Sequence, residues 1–520
     1  MTSPEPETIA RTLDAAAKEC PERTYLHYEG RTLSYAQLHA EVTACAAGLI
    51  ALGIRPGERV AVWAANTLGA AVALLALPVA GAQIVPLNTR YQFREAEQIV
   101  TSAGCSVVLA PTEFLGRALA LEARDISGIE TVVALVEDGV ALPLFDGEKA
   151  ENAYAELQRR IATQDGQDVA LIQFTSGTTG RPKGAMLRQG PMLATARTWT
   201  RNAGLGAGDI FPIGYPMAHI GGFKTGLLTT LVSRATAVLF PVVDTDSLIA
   251  ALSDFSPAVI SAPPPVLRTI LDAVRDGALP ESTAVRTVVT GSAIVPPALI
   301  RDLREHLHVA DVINAYGLTE ATGVCTMTRR GDPVELVCET IGRPIEGVEV
   351  RLVGASEGGG HDEVELEVRG PNLMVGYLDD PDATAEAMHD GWLRTGDLGW
   401  IGEDGYVRIV GRAKDMVIVG GFNVYPAEVE QMLTTHPAVA EAAAVGVPDE
   451  RLGEVVVVFL VAAGGGSVTD EELTTWCRRT LANFKVPRRF WWVDELPRAA
   501  ADKVAKVELR NRALAELARA

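Results

Sequence analysis

The sequence predicts an α/β protein: a large N-terminal domain of βαβ-type sheets with a small β-barrel-like subdomain, then a smaller α+β domain at the C-terminal end. Three observations carry that prediction. Short apolar runs alternate with helical-period stretches from residue 34 to residue 315, the pattern of largely parallel sheet. From Val348 the texture changes to short strands with Gly, Asp and Pro turns (VEVRLV, EVELEVRG, YVRIVGR). Beyond GRAKD at 411–415 comes a third set of helices and strands. A chain of 520 residues also exceeds what one core organises.

In chain order, Ser34 and Gln37 form a capping-box pattern ahead of a helix over 35–52, ended by Gly53. Strands are expected at 60–65, 83–87, 106–110 and 131–136. The stretch 60–89 carries no charged residue and is long enough for a membrane span. It is rich in Ala and Gly and broken by Asn66, Pro78, Gln83 and Pro86, so it reads as strand, helix (67–80) and strand of a buried βαβ unit. Residues 147–167 read as a polar connection leading into a buried strand at 169–174. Strands at 258–262, 285–290 and 309–315 end in Pro263-Pro264-Pro265, in Gly291-Ser292-Ala293 and in YGLTE. Ligands in such sheets sit beyond the carboxyl ends of strands, so these turns mark the expected cleft. The C-terminal unit reads as a helix at 426–434, a strand at 454–461, a helix at 470–483 capped by Thr469 with Glu472, a strand at 489–493 and a closing helix.

The net charge of −20 argues against broad binding of nucleic acid or anionic membrane. Six scattered cysteines without C-x-x-C spacing read as reduced thiols, and the polar, acidic N-terminus is no signal peptide. The expectation is a soluble, cytoplasmic protein. An acidic protein that binds polyphosphate must concentrate positive charge locally, which makes basic residues beside glycine loops informative.

One such loop stands out. After the strand at 169–174, FTSGTTGRPKG places Thr175, Ser176, Gly177, Thr178, Thr179, Gly180 and Lys183 within eleven positions. Glycines let successive N–H groups turn toward one anion, and the hydroxyls and Lys183 add donors and charge. The order differs from G-x-x-x-x-G-K-[ST], and an ordinary Gly/Thr turn would have the same composition. In YGLTE, an aromatic at a strand end suits stacking on a base, and a carboxylate there suits Mg2+ shared with phosphate oxygens; a turn with a solvated glutamate fits the same residues. Asp397, in Arg394–Gly399, can accept two hydrogen bonds from a vicinal diol, or cap a turn.

Together these motifs resemble the adenylate-forming superfamily of acyl-CoA synthetases, peptide-synthetase adenylation domains and luciferase, over nearly the whole chain and closest to the acyl-CoA ligases. The resemblance implies ATP (or acyl-AMP), Mg2+ and CoA as cofactors, a small carboxylic acid as substrate, and a mobile C-terminal domain. It places the phosphates on 175–183 and the AMP moiety on Gly291, Ser292, Ala293, Asn314, Tyr316, Gly317, Asp397 and Arg412. Thr319 contacts phosphate and Glu320 holds the metal. Lys414 is the hinge, dividing the chain into 1–413 and 414–520, and Gly420 and Gly421 admit pantetheine. His219, Gly221 and Gly222 of YPMAHIGGF line the acyl pocket; with Gly291 these glycines suggest room for a bulky cyclic acid. Nothing in YPMAHIGG supplies the aspartate with which amino-acid adenylation domains hold an ammonium group. The basic residues Arg478, Arg479, Lys485, Arg488 and Arg489 are placed to meet CoA phosphates, or form a solvated face.

The tail departs from the pattern. The family ends L-P-R-T-x-x-G-K; here Leu496-Pro497-Arg498-Ala499-Ala500-Ala501-Asp502-Lys503 keeps the catalytic lysine as Lys503 but replaces the threonine and the glycine. A carboxylate about 4 Å from a phosphate is repelled by roughly 4 kcal/mol at the effective dielectric of a protein surface, on the order of a thousandfold in rate. Adenylation is then weakened while thioester formation survives, with acyl-AMP supplied by a separate adenylating enzyme; or Asp502 points to solvent and activity is ordinary. An acyl-AMP ligase loading a carrier protein and a non-catalytic acyl-AMP or nucleotide binder are the remaining alternatives.

Overall fold

The computed structural model describes residues 7–136, 139–142, 147–176, 182–279, 284–291, 297–353, 364–412, 417–424, 426–434, 436–462, 468–497 and 504–518. Among these residues the strands form five sheets. The largest runs, in spatial order, 139–141, 131–136, 107–111, 59–63, 83–87, 169–176 and 182–188. Its five inner strands are parallel and its two edge strands antiparallel. A second sheet orders 259–261, 287–291 and 311–316 in parallel, followed by two short antiparallel strands. The carboxyl ends of strands from these two sheets border one cleft.

The uncharged stretch is the buried βαβ unit that its composition implies. Every residue of helix Leu68–Val79 is buried, capped by the Thr67 side chain on Ala70 N and flanked by parallel strands Arg59–Trp63 and Gln83–Leu87. Small Ala side chains let this helix pack closely on helix Tyr35–Leu52, which begins at the Ser34–Gln37 capping box. No described helix is long and apolar enough to cross a membrane.

The third unit expected from sequence is a five-stranded antiparallel sheet built on Glu349–Val353, Val364–Arg369, Met388–His389, Trp392–Ile401 and Val407–Arg412. The C-terminal domain has its own cores on either side of the long hairpin Val439–Asp449 and Gly453–Ala462. Two readings are corrected. Residues 147–167 are not merely a connection: Gly147–Thr163 is a helix, with Leu157 and Ala153 buried on one face. Val439–Asp449, Ala-rich and unassigned from sequence, is a strand because it pairs along its whole length with Gly453–Ala462. Tertiary pairing overrides weak local β preference there.

Candidate functional site

The cleft holds about 1320 Å3 and takes its walls from both main sheets, from 214–225 and from the C-terminal domain. The phosphate-loop candidate begins at the end of strand Val169–Ser176 and returns through strand Pro182–Arg188, so that Thr175 pairs with Lys183 across the hairpin. Of the loop residues, Gly177, Thr178, Thr179 and Gly180 lie outside the described residues, as do Ser292, Ala293, Lys414, Asp502 and Lys503. For Ser176 and Arg412 only the backbone is described.

YGLTE meets the hairpin directly. Thr175 Oγ1 donates to Glu320 Oε1 at 3.3 Å, and Tyr377 Oη donates to the same oxygen at 2.9 Å. Lys183 Nζ lies 5.2 Å from the Tyr377 ring centroid. Tyr377 therefore sits between the carboxylate and the ammonium, and no sequence motif had pointed to it. One carboxylate beside a phosphate loop fits Mg2+, which usually takes one or two protein carboxylates and completes its shell with phosphate and water.

Elsewhere along the cleft, Tyr316 ends strand Asp311–Tyr316 and its Oη donates to Asp397 Oδ2 at 2.5 Å. Burial, and then the Asp397 charge, push the Tyr316 phenol well above its ordinary range, so it stays a donor at neutral pH. Asp397 is 2 % exposed and pairs in register with Arg412 on the neighbouring strand. Gly291, Gly317 and Thr319 border the same cavity. Asn314 borders it too, but its amide donates to Thr340 O at 2.9 Å and Val337 O at 3.4 Å. Its NH2 group thus ties the strand to the segment after it.

The YPMAHIGGF segment is pinned by Asn66, the polar break in the apolar stretch. Asn66 Nδ2 donates to Tyr215 O at 2.9 Å, and Met217 N donates to Asn66 Oδ1 at 2.7 Å. His219 follows, exposed to the inside of the cleft rather than to the outer surface. Gly221 N donates to its Nδ1 at 3.1 Å, which leaves the proton of the neutral ring on Nε2. Desolvation in the cleft, and then the nearby Lys224 amine, push the imidazole below its ordinary range. Gly221 borders the cavity. Gly222 does not, which corrects its assignment to the acyl pocket: a Cβ there would lie 2.1 Å from Pro216 O, so its role is close backbone packing.

The C-terminal domain enters the cleft with Gly420, Gly421 and Phe422. Behind that turn, Lys485 Nζ bonds Glu95 Oε1 of the large domain at 3.0 Å and Glu428 Oε1 of its own domain at 2.7 Å. Arg90 lies 5.0 Å from the Phe422 ring centroid. In this docking Lys485 is therefore an interdomain ion-pair residue, its amine shared by two carboxylates rather than open to a CoA phosphate. Of the remaining basic residues, Arg479 lies over the Trp476 ring.

The family model "AMP-binding enzyme" matches residues 13–378, and "AMP-binding enzyme C-terminal domain" matches 428–503. The 3-[(3aS,4S,7aS)-7a-methyl-1,5-dioxo-octahydro-1H-inden-4-yl]propanoyl:CoA ligase of Mycobacterium tuberculosis is 41% identical, over 97% of this chain and 98% of its own length. The ligase of the same name from Rhodococcus jostii is 40% identical over 98% and 99%. Among solved structures, a double mutant of o-succinylbenzoate CoA synthetase from Bacillus subtilis, bound with its product analogue, superposes with a TM-score of 0.81 at 28% identity, covering 96% of this chain and 98% of the other. With its phosphate-loop hairpin, YGLTE turn and buried Asp397 gathered around one cleft, the chain belongs to the AMP-binding enzyme family, and the two full-length relatives at 41% and 40% identity are CoA ligases.

Proposed function

We propose that the protein is an AMP-forming acyl-CoA ligase for an acid carrying a fused-ring, oxo-substituted body on a propanoate arm. The single observation that carries the activity is convergence: Thr175, which bonds Glu320, and the bonded pair Tyr316 and Asp397 border a cavity that also receives Gly420 and Gly421. The substrate class rests on the two relatives at 41% and 40% identity, whose names specify such an acid. An acyl end walled by Tyr215, His219, Ile220 and Gly221 in a cavity of about 1320 Å3 is compatible with it.

In this reading the acid's carboxylate attacks the α-phosphorus of ATP, giving acyl-AMP and pyrophosphate. The thiol of CoA then attacks the acyl carbon and AMP leaves. Tyr316 presents its ring to adenine, Asp397 accepts from the ribose hydroxyls, and the 175–183 hairpin with Thr319 holds the phosphates. Arg412 contacts the nucleotide. Glu320 would hold Mg2+, which when bound offsets phosphate charge. Lys503 bridges carboxylate and α-phosphate in the first step, and the domain boundary at 413/414, with its hinge at Lys414, lets the C-terminal domain turn between steps. No protein nucleophile is required: catalysis rests on positioning and fixed charge. The present docking, with Gly420 and Gly421 in the cleft, supports assigning this orientation to thioester formation. The likeness to a synthetase bound with its product analogue points the same way.

The test is a mass-spectrometric screen of carboxylic acids with ATP and CoA. Fused-ring oxo-propanoates are expected to exceed linear acids by about tenfold or more in kcat/KM, the scale on which a shaped pocket discriminates. Preference for linear acids, or AMP release without thioester, would refute the reading.

A further inference from the structure

Between Asp209 and Arg234 the chain carries a single lysine or arginine, Lys224, and no acidic residue. Its side chain is fully buried, at 0 % exposure, and Nζ has no hydrogen-bond partner among the described residues. Burying an amine without a partner is unfavourable, and buried polar groups in native proteins are nearly always paired. Desolvation pulls the Lys224 pKa down to about 7. Neither the nucleotide site nor the thioester step described above uses this group.

Its position is informative. Lys224 lies on the π-helical turn Gly221–Leu228, a wide turn of the kind frequent at functional sites. The neighbouring residues His219, Ile220, Gly221 and Thr225 all border the acyl end of the cleft. From the facing element Gly323, at φ +80°, borders it as well. Lys224 Cε lies 3.6 Å from the point where a Cβ on Gly323 would sit, and the Ile220 Cγ atoms lie 3.2 Å from that point. Gly323 has no side chain to screen the amine, so the lysine stands directly behind the cleft wall. The titratable groups around it, His219 and Cys325, are both uncharged at neutral pH: His219 is held below its ordinary range and the Cys325 thiol is pushed up to about 12. Among the described residues no carboxylate pairs with Lys224.

We propose that Lys224 is a specificity-determining residue whose Nζ donates a hydrogen bond to a carbonyl oxygen on the ring body of the acyl group, remote from the carboxylate being activated. The inference rests on the oxo-ring reading of the substrate given above. Ile220 is the side chain that turns aside as the carbonyl arrives at Gly323. A site built around a buried donor rejects an analogue lacking the acceptor, because the donor is then left unpaired.

The experiment uses the full-length protein, Lys224→Met and Lys224→Gln, each assayed for thioester formation on two acids: a fused-ring propanoate with a ring ketone, and the same acid with that ketone reduced to a methylene. The wild type is expected to favour the keto acid by about tenfold or more in kcat/KM. In Lys224→Met that ratio collapses toward one, mostly through KM for the keto acid, and Lys224→Gln, which keeps a donor, recovers part of it. Thermal unfolding establishes that both variants fold. A wild type that uses both acids equally removes the Lys224 assignment and leaves the acid class standing. A ratio unchanged in Lys224→Met also removes it. A wild type that makes thioester from neither acid overturns the acid class, and this inference with it.

Discussion

Lys485 holds the two domains in their present docking, and its removal yields a quantitative expectation. The amine is shared by Glu428 of its own domain and Glu95 of the large domain, at 2.7 and 3.0 Å, with Lys485 and Glu95 both buried. Burial alone would lower the Lys485 pKa; Glu428 and then Glu95 outweigh it and hold the amine above its ordinary range. Burial also lifts the Glu95 carboxyl, and the lysine only partly compensates. One cation thus serves two carboxylates. Glu95→Gln keeps an oxygen to accept from Gln92 N, so helix Phe93–Ala103 retains its cap while the interdomain charge is lost. Truncating one partner of a buried, hydrogen-bonded charge pair costs about 2–5 kcal/mol, or about 30-fold to a few thousand-fold in the docking equilibrium. Conversion of synthetic acyl-AMP and CoA to thioester should therefore slow by about tenfold or more, as the competent orientation becomes the minor one. Acid-dependent pyrophosphate exchange, which in the proposed mechanism uses the other orientation, should hold or rise. In a double-mutant cycle with Lys485→Met, the two changes should be far from additive. Equal losses in both half-reactions, or additive effects, would refute the reasoning.

Three other expectations follow from the site. Asp502→Gly should raise pyrophosphate exchange by about one to three orders of magnitude if the carboxylate opposes ATP; equal, robust exchange in both proteins removes the idea that adenylation is weakened. Asp397→Asn should lower kcat/KM for ATP by about 10- to 100-fold, the worth of a charged hydrogen bond, while circular dichroism stays native. Lys224→Met should be more heat-stable than the wild type near pH 7. The native pKa of about 7 lies below the unfolded value of 10.5, so the unfolded chain binds the extra proton, and the wild type gains stability as pH rises through that window. The difference, up to about 5 kcal/mol, should shrink toward pH 10; a gap in melting temperature that widens with pH would contradict it.

What the sequence disclosed was strongest where local chemistry and global fold agree. The Ser34–Gln37 box, the strand at Gln83–Leu87 and the helix Pro426–Thr434 carry their own start and stop signals, and they lie where the residues place them. The glycine and polar turns after strands marked the cleft because parallel sheets put ligands there. The helix Gly147–Thr163 escaped because its exposed, charged faces mask a narrow apolar stripe. Val439–Asp449 escaped because its alanines favour a helix until a partner strand is supplied. Lys485 misled because charge was counted without knowing that Glu95, 390 positions away, would consume it. Lys224 left a signal that could have been read, one cation in a long uncharged run, but only burial shows that no described residue balances it. Tyr377 left none, since its link to Glu320 is made by tertiary contact alone.

The wide turn Gly221–Leu228 belongs to a different stretch of the chain from the 175–183 hairpin and YGLTE; Tyr25 Oη donates to Leu227 O behind it, and Asn66 holds the segment just before it at Tyr215 and Met217. Exchanging that short piece between relatives should therefore retune which acid is accepted without disturbing phosphate chemistry, which makes it the natural place to begin redesigning this ligase for unfamiliar acids.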